Sequence, residues 1–269
     1  MCLAYYVESI TGRCGLDGKK IKIVMAIMML LGVYLATYVC LPMSTRGTAG
    51  KAEESNMSGM GQEESSDASE RIDIDITGKV VVIDSGHGGV DPGKTNADNS
   101  IQEKDINLSI AKKLENLLKN AGVSVIMTRT EDMGHYSEDD TNKKRADMNA
   151  RCEMVNESSA DAVVSIHQNS YTSPSVKGAQ MFYYEGSKEG KKLAGILQKA
   201  FVTYVDSANT RVEKADDSYY MLLHTKPPTV IAECGFLSNP GEAKLLSTDE
   251  YQDKVATALY HGIMEYILE

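Results

Sequence analysis

Two imidazoles and two carboxylates stand at the ends of short β-rich runs or in a loop between them. His87 follows the run Lys79–Asp84 through Ser85 and Gly86, His167 closes 162–167, and Glu233 closes 229–233. Glu103 falls in a predicted loop ahead of the first helical run. Two imidazoles and one carboxylate form the ligand set of hydrolytic zinc sites, which keep a fourth position open for water. Such chemistry also needs a second carboxylate, outside the ligand set, to take a proton from that water. Glu103 and Glu233 can divide these jobs, and the spacing alone does not say which takes which. Singly, each residue has a plain structural reading: a hydrogen-bonded His at a strand end, an ion-paired Glu. The coincidence of four is what suggests chemistry.

Elements of the right kind surround them. The Val- and Ile-rich runs at 79–84, 123–128, 162–167, 180–184 and 229–233 read as strands. Between them, Ile106, Ile110, Leu114, Leu117 and Leu118 recur at helical spacing, with Asp105 as the expected N-cap and Gly122 as the stop. Further helices are expected over 143–157, around Leu193, Ile196, Leu197, Ala200 and Phe201, and over 251–268. Strands alternating with helices predict a single three-layer α/β domain, a mostly parallel twisted sheet flanked by helices. Sites in such sheets lie beyond the carboxyl ends of the strands, where the four candidates fall.

The first 71 residues read differently. Ile23–Leu41 is nineteen residues without a charge, long enough to span a bilayer as a helix. Arg13, Lys19, Lys20 and Lys22 precede it, which predicts a cytoplasmic segment over 1–22 and a signal anchor over 23–41. Residues 42–71 read as a flexible linker: Ser44–Arg71 has no Leu, Ile, Val, Phe or Tyr and so too little apolar surface to fold. The folded domain is expected over 72–269, extracytoplasmic and membrane-anchored, or secreted if the segment is cleaved near Thr48-Ala49-Gly50. With 28 Lys and Arg against 38 Asp and Glu, and no basic stretch, the chain is a poor match for nucleic acid. Its five cysteines are scattered and never spaced as CxxC, which excludes a disulfide scaffold or a cysteine zinc knuckle.

One motif misleads. Gly88-Gly-Val-Asp-Pro-Gly-Lys-Thr95 fits the phosphate-binding pattern GxxxxGK[ST] letter for letter. A phosphate loop must open directly into a helix, whereas Thr95–Ser100 is a polar loop, so the glycines are read instead as letting backbone pass close to a metal. His135, His224 and His261 are not expected as ligands. Asn169 beside His167 is a candidate for orienting ligands, and Arg129 and Arg211 are candidates for substrate carboxylates.

The runs Val81-Val-Ile-Asp-Ser-Gly-His-Gly-Gly-Val-Asp-Pro-Gly93, Gln102-Glu-Lys-Asp-Ile-Asn-Leu108, Met127-Thr-Arg129, Ser165-Ile-His-Gln-Asn169 and Ile231-Ala-Glu-Cys-Gly-Phe-Leu-Ser-Asn239 together resemble the N-acetylmuramoyl-L-alanine amidases of the type 3 family. The resemblance runs from about Lys79 to Leu268. It implies Zn²⁺ held by His87, Glu103 and His167, Glu233 as the catalytic glutamate, and cleavage of the amide joining N-acetylmuramic acid to L-alanine of the peptidoglycan stem peptide. Ser85 departs from the proline usual in the family. The runs around Glu103, Asp147, Ser165–Tyr171 and Glu233 are similar to the spore cortex branch, which implies a part in muramic lactam formation. An activating protein partner is a further expectation. The rivals are a catalytically silent wall-binding domain, with Glu131–Arg145 folded over the site, and a zinc hydrolase cutting another wall bond.

Overall fold

In the computed structural model, which describes residues 76–269, six strands form one sheet. They are β1 (Val80–Ser85), β2 (Ser124–Met127), β3 (Ala162–Asn169), β4 (Gln180–Tyr183), β5 (Lys214–Ala215) and β6 (Thr229–Phe236), in the order β2-β1-β3-β6-β4-β5. β2, β1, β3 and β6 run parallel; β4 is antiparallel to β6, and β5 is parallel to β4. The helices are α1 (Glu103–Asn120), α2 (Lys143–Glu157), α3 (Lys188–Tyr204), α4 (Tyr220–His224), α5 (Pro240–Leu246) and α6 (Asp249–Leu268).

The central strands alternate strictly between two cores, as the two-residue pleat requires. Val81, Ile83, Val164, Ile166, Val230 and Ala232 face the larger core, which α1, α3 and α6 close with Ile110, Leu114, Leu193, Leu197, Leu259 and Ile263. Val82, Val163 and Ile231 face the smaller core, closed by Cys152 and Val155 of α2 and by Met221 and Leu222 of α4. By that alternation His167 and Glu233 project with Val163 and Ile231 toward the smaller side. On that side the five-residue α4 and the longer α2 line a cleft at the carboxyl end of the sheet.

The predicted α/β sandwich is present, with the strands within about three residues of their expected ends. Two expectations are corrected. Glu103 is not in a loop, and Asp105 is not the cap: α1 begins at Glu103 with Gln102 as N-cap. The amide of Glu103 donates to the Lys94 carbonyl at 2.9 Å and that of Lys104 to the Pro92 carbonyl at 3.2 Å. The glycine-rich loop thereby satisfies first-turn donors that a cap would have satisfied, and the helix starts three residues earlier than expected. The expected segments 1–22, 23–41 and 42–71 lie outside the described residues. Among the described residues no helix is long and apolar enough to cross a membrane.

Candidate metal centre

Three ligand atoms, one each from His87, Glu103 and His167, lie within 4.8 Å of one another at the carboxyl end of the sheet. β1 delivers His87 through the Ser85-Gly86 turn, β3 carries His167, and the first turn of α1 supplies Glu103. The backbone of His87 is left-handed (φ +63°), a conformation that costs a non-glycine residue free energy and must be held by its surroundings. Arg151 holds it, donating from Nη2 to the His87 carbonyl at 2.7 Å and from Nη1 to the Ser85 carbonyl at 2.7 Å. Gly86 must be glycine, because a Cβ there would stand 2.3 Å from Cε1 of the His167 ring. Gly93 (φ +70°) is bound in the same way, since its Cβ would stand 2.5 Å from Glu103 Oε2.

Glu103 is buried and shared. Its Oε1 accepts from the Gln168 amide at 2.9 Å and lies 2.9 Å from His167 Nδ1. Its Oε2 accepts from the Lys94 amide at 2.7 Å and lies 3.2 Å from His87 Nε2. Burial opposes the charge, yet the two imidazoles outweigh it and hold the carboxyl well below the usual carboxylate range. Asp91 Oδ2 lies 2.9 Å from His87 Nδ1 and fixes the ring, so that Nε2 faces Glu103. Burial disfavours the His87 cation, but hydrogen bonds to Asp91 and Glu103 prevail and raise its pKa to about 9. Two nitrogens and a carboxylate oxygen converging on one point are a donor set that suits a borderline metal such as zinc.

Orienting partners of this kind generally set metal affinity as well as ring geometry. Asp91→Asn is expected to weaken metal binding about 10- to 100-fold, with the fold intact, as read by titration against a competing chelator. Unchanged affinity would detach Asp91 from that role.

Glu233 sits beside the triad, its Cα in register with that of His167 on the neighbouring strand. Its Oε1 accepts from the Tyr219 hydroxyl at 3.0 Å, while Oε2 is buried with no hydrogen-bond partner. Burial pushes its pKa up, against the pull of His167 and Tyr219. A carboxylate with one tethered oxygen and one free oxygen, and with raised basicity, is suited to proton transfer. These groups line a cleft of about 410 Å³, walled by Lys144, Met148, Tyr219 and Tyr220.

The other candidates fall elsewhere. Arg129 is 2 % exposed and does not line the cleft; its guanidinium donates to the carbonyls of Ser85, Gly86, Lys104 and Glu131, so it braces the ligand loop rather than facing a substrate carboxylate. Arg211 lies outside the cleft, donating to the Lys177 carbonyl and Gln180 and packed 4.9 Å from the Phe236 ring. Asn169 lines the cleft, but its side chain accepts from the Ser170 amide; Gln168 is the residue that reaches Glu103. Glu131–Arg145 does not fold across the site. Asp132 and Tyr136 engage the amides of Gly89 and Val90, and of that segment only Lys144 lines the cleft. No helix follows Thr95 until Glu103, so the phosphate-loop pattern lacks its helix, and the Lys94 amide is spent on Glu103. His135, His224 and His261 stand apart from the triad.

The sequence profile of the N-acetylmuramoyl-L-alanine amidases matches residues 81–265. The germination-specific N-acetylmuramoyl-L-alanine amidase of Bacillus subtilis (strain 168) is 36% identical over 199 residues, covering 73% of this chain and 83% of its own. The CwlD amidase from Clostridioides difficile, in a structure with the GerS lipoprotein, superposes with a TM-score of 0.69 at 41% identity, covering 70% of this chain and 98% of that one. The catalytic domain of CwlV from Bacillus (Paenibacillus) polymyxa var. colistinus superposes at 0.62 with 30% identity, covering 70% and 98%. The chain therefore belongs to the N-acetylmuramoyl-L-alanine amidase family and is an amide hydrolase of that kind.

Proposed function

We propose that the triad of His87, Glu103 and His167 holds zinc, and that Glu233 moves the protons as the amide between N-acetylmuramic acid and L-alanine is cut. The observation that carries this reading is the buried, unpartnered Oε2 of Glu233 beside three convergent ligand atoms. When bound, zinc supplies Lewis acidity, acidifying water and polarising the scissile carbonyl. Glu233 Oε2 takes the proton of the attacking water and returns it to the departing L-alanine amine, so one carboxyl serves as base and then as acid. Asp91 and Gln168 keep the ligands in place throughout, and the cleft walls keep the sugar–peptide junction over them.

The setting is proposed from the relatives and from the N-terminal sequence. The likeness to a germination-specific amidase and to CwlD supports a role on spore cortex peptidoglycan. The structure of CwlD with a lipoprotein supports an activating or stabilising protein partner here. The uncharged run 23–41 supports a membrane anchor, with residues 42–71 linking it to an extracytoplasmic catalytic domain over 72–269.

The ligand assignment has a direct test. A His87 pKa near 9 means that at pH 7 the metal must displace a proton. In the metal-free protein that cation stabilises the fold fully below about pH 6.5 and is lost as pH rises through about 9. Calorimetry of the stripped, full-length protein in two buffers of different ionisation enthalpy is expected to show one equivalent of zinc bound with proton release at pH 7. His87→Ala is expected to bind none. Uptake without proton release, or undiminished in the variant, contradicts the assignment.

A further inference from the structure

Tyr219 reaches the candidate base from an element of its own. It is the N-cap residue of α4, and it is placed by a turn in which Asp216 accepts from the Ser218 amide at 2.8 Å while the Asp216 amide donates to the Tyr183 carbonyl of β4 at 2.9 Å. Its ring packs against Phe182 of β4, centroids 5.3 Å apart and tilted by 42°. Phe182 is in register with Ile231, two residues before Glu233 on β6. Two strands and a turn thus converge to hold one phenol oxygen 3.0 Å from Glu233 Oε1. Burial and the Glu233 charge keep that phenol protonated, so it acts only as a donor to the carboxylate.

A carboxylate whose two oxygens were equivalent could rotate about its last bond and present either. Here one oxygen is tethered and the other is buried without a partner. We propose that Tyr219 is a positioning residue for proton transfer: its hydroxyl fixes Oε1 of Glu233 and so commits Oε2 to the attacking water and the leaving amine. Its hydroxyl bonds to Glu233 and to none of the ligand triad. It acts on the reaction through Glu233, and this inference rests on the proposed role of Glu233.

The test uses the full-length, zinc-loaded enzyme on a soluble muropeptide. Tyr219→Phe keeps the ring against Phe182 and removes only the hydroxyl. The expected result is a kcat lower by about 10- to 100-fold, the usual cost of losing such a supporting hydrogen bond, with KM within about twofold and zinc content unchanged. The double variant Tyr219→Phe/Glu233→Gln is expected to be no slower than Glu233→Gln alone, because the hydroxyl acts only through that carboxylate. Losses that multiply, or a fall in zinc content or thermal midpoint that accounts for the rate, overturn the proposal in favour of a packing role. A Tyr219→Phe enzyme of parent kcat beside an inactive Glu233→Gln enzyme overturns it alone. A fully active Glu233→Gln enzyme removes the reading on which it rests.

Discussion

Replacing Glu233 by Gln is expected to lower kcat by about 10²- to 10⁴-fold while leaving zinc content and fold unchanged. The side chains are nearly isosteric, and the amide oxygen still accepts from Tyr219. Glu233 is 6 % exposed, and its burial raises its pKa, so the ionised form is held at a cost that the neutral amide does not incur. The variant should therefore be at least as stable as its parent in urea. What disappears is the capacity of Oε2 to take up a proton. Metal analysis, muropeptide turnover and a denaturation curve on the same preparation check the three parts together. Hydrolysis at the parent rate would take Glu233 out of the mechanism, and loss of metal would make it a ligand.

The largest effect on stability is expected beneath the site. Arg151 and Asp84 are each 1 % exposed and paired at 2.9 Å, with Asp147 bonded to Arg151 Nε at 2.7 Å and with Thr128 and Ser165 donating to Asp84. Burial works against the Asp84 charge, but Arg151 prevails and holds its pKa near 2. Arg151→Met leaves Asp84 buried without its cation and removes the donor that holds the His87 carbonyl. The expected cost is about 3–5 kcal/mol at pH 7, a large share of the stability of an ordinary domain. Because the Asp84 pKa is depressed, this contribution is present above about pH 4 and fades as pH falls through about 2. The gap between parent and variant should narrow over that range in urea titrations. A loss under 1 kcal/mol at pH 7 would show the pair to be dispensable. The same variant should bind zinc more weakly, since among the described residues Arg151 is the donor that holds the His87 carbonyl.

Most of the architecture is legible in the sequence, because the Val and Ile runs of β1, β3 and β6 are buried on both faces and the helical spacing in α1, α3 and α6 marks the one face each helix buries. The short elements are less so. β5 has two residues and α4 five, too few for a period to show, and the antiparallel turn of β4 depends on its neighbour β6 rather than on its own residues. α5 carried signals that could have been read, Asn239 as cap and Pro240 at the first position. The start of α1 was misplaced because its first amides bond to a loop nine to twelve residues earlier, which no local rule anticipates.

The site divides in the same way. His87, Glu103, His167 and Glu233 end strands or begin a helix, and their types announce them. Asp91 had a readable signal, four residues after His87 within the same glycine-rich run. Arg151 looks like any charge on the polar α2, and nothing in Asp216–His224 marks Tyr219 as the partner of a glutamate fourteen residues on. Arg129 drew attention as a candidate for substrate carboxylates, whereas it is buried and bonded to four carbonyls. Long polar side chains that act by reaching across the fold leave no pattern in the chain.

The central claim is that this site cuts one bond and needs its metal to do so. Full-length protein would be incubated with cortex peptidoglycan, as purified, after chelation, and after chelation followed by added zinc, with products read by mass spectrometry. The account predicts intact stem peptides bearing a free L-alanine amine, abolished by the chelator and restored by zinc. Cleavage within the peptide or the glycan, or release of stem peptides that chelation does not touch, would contradict it.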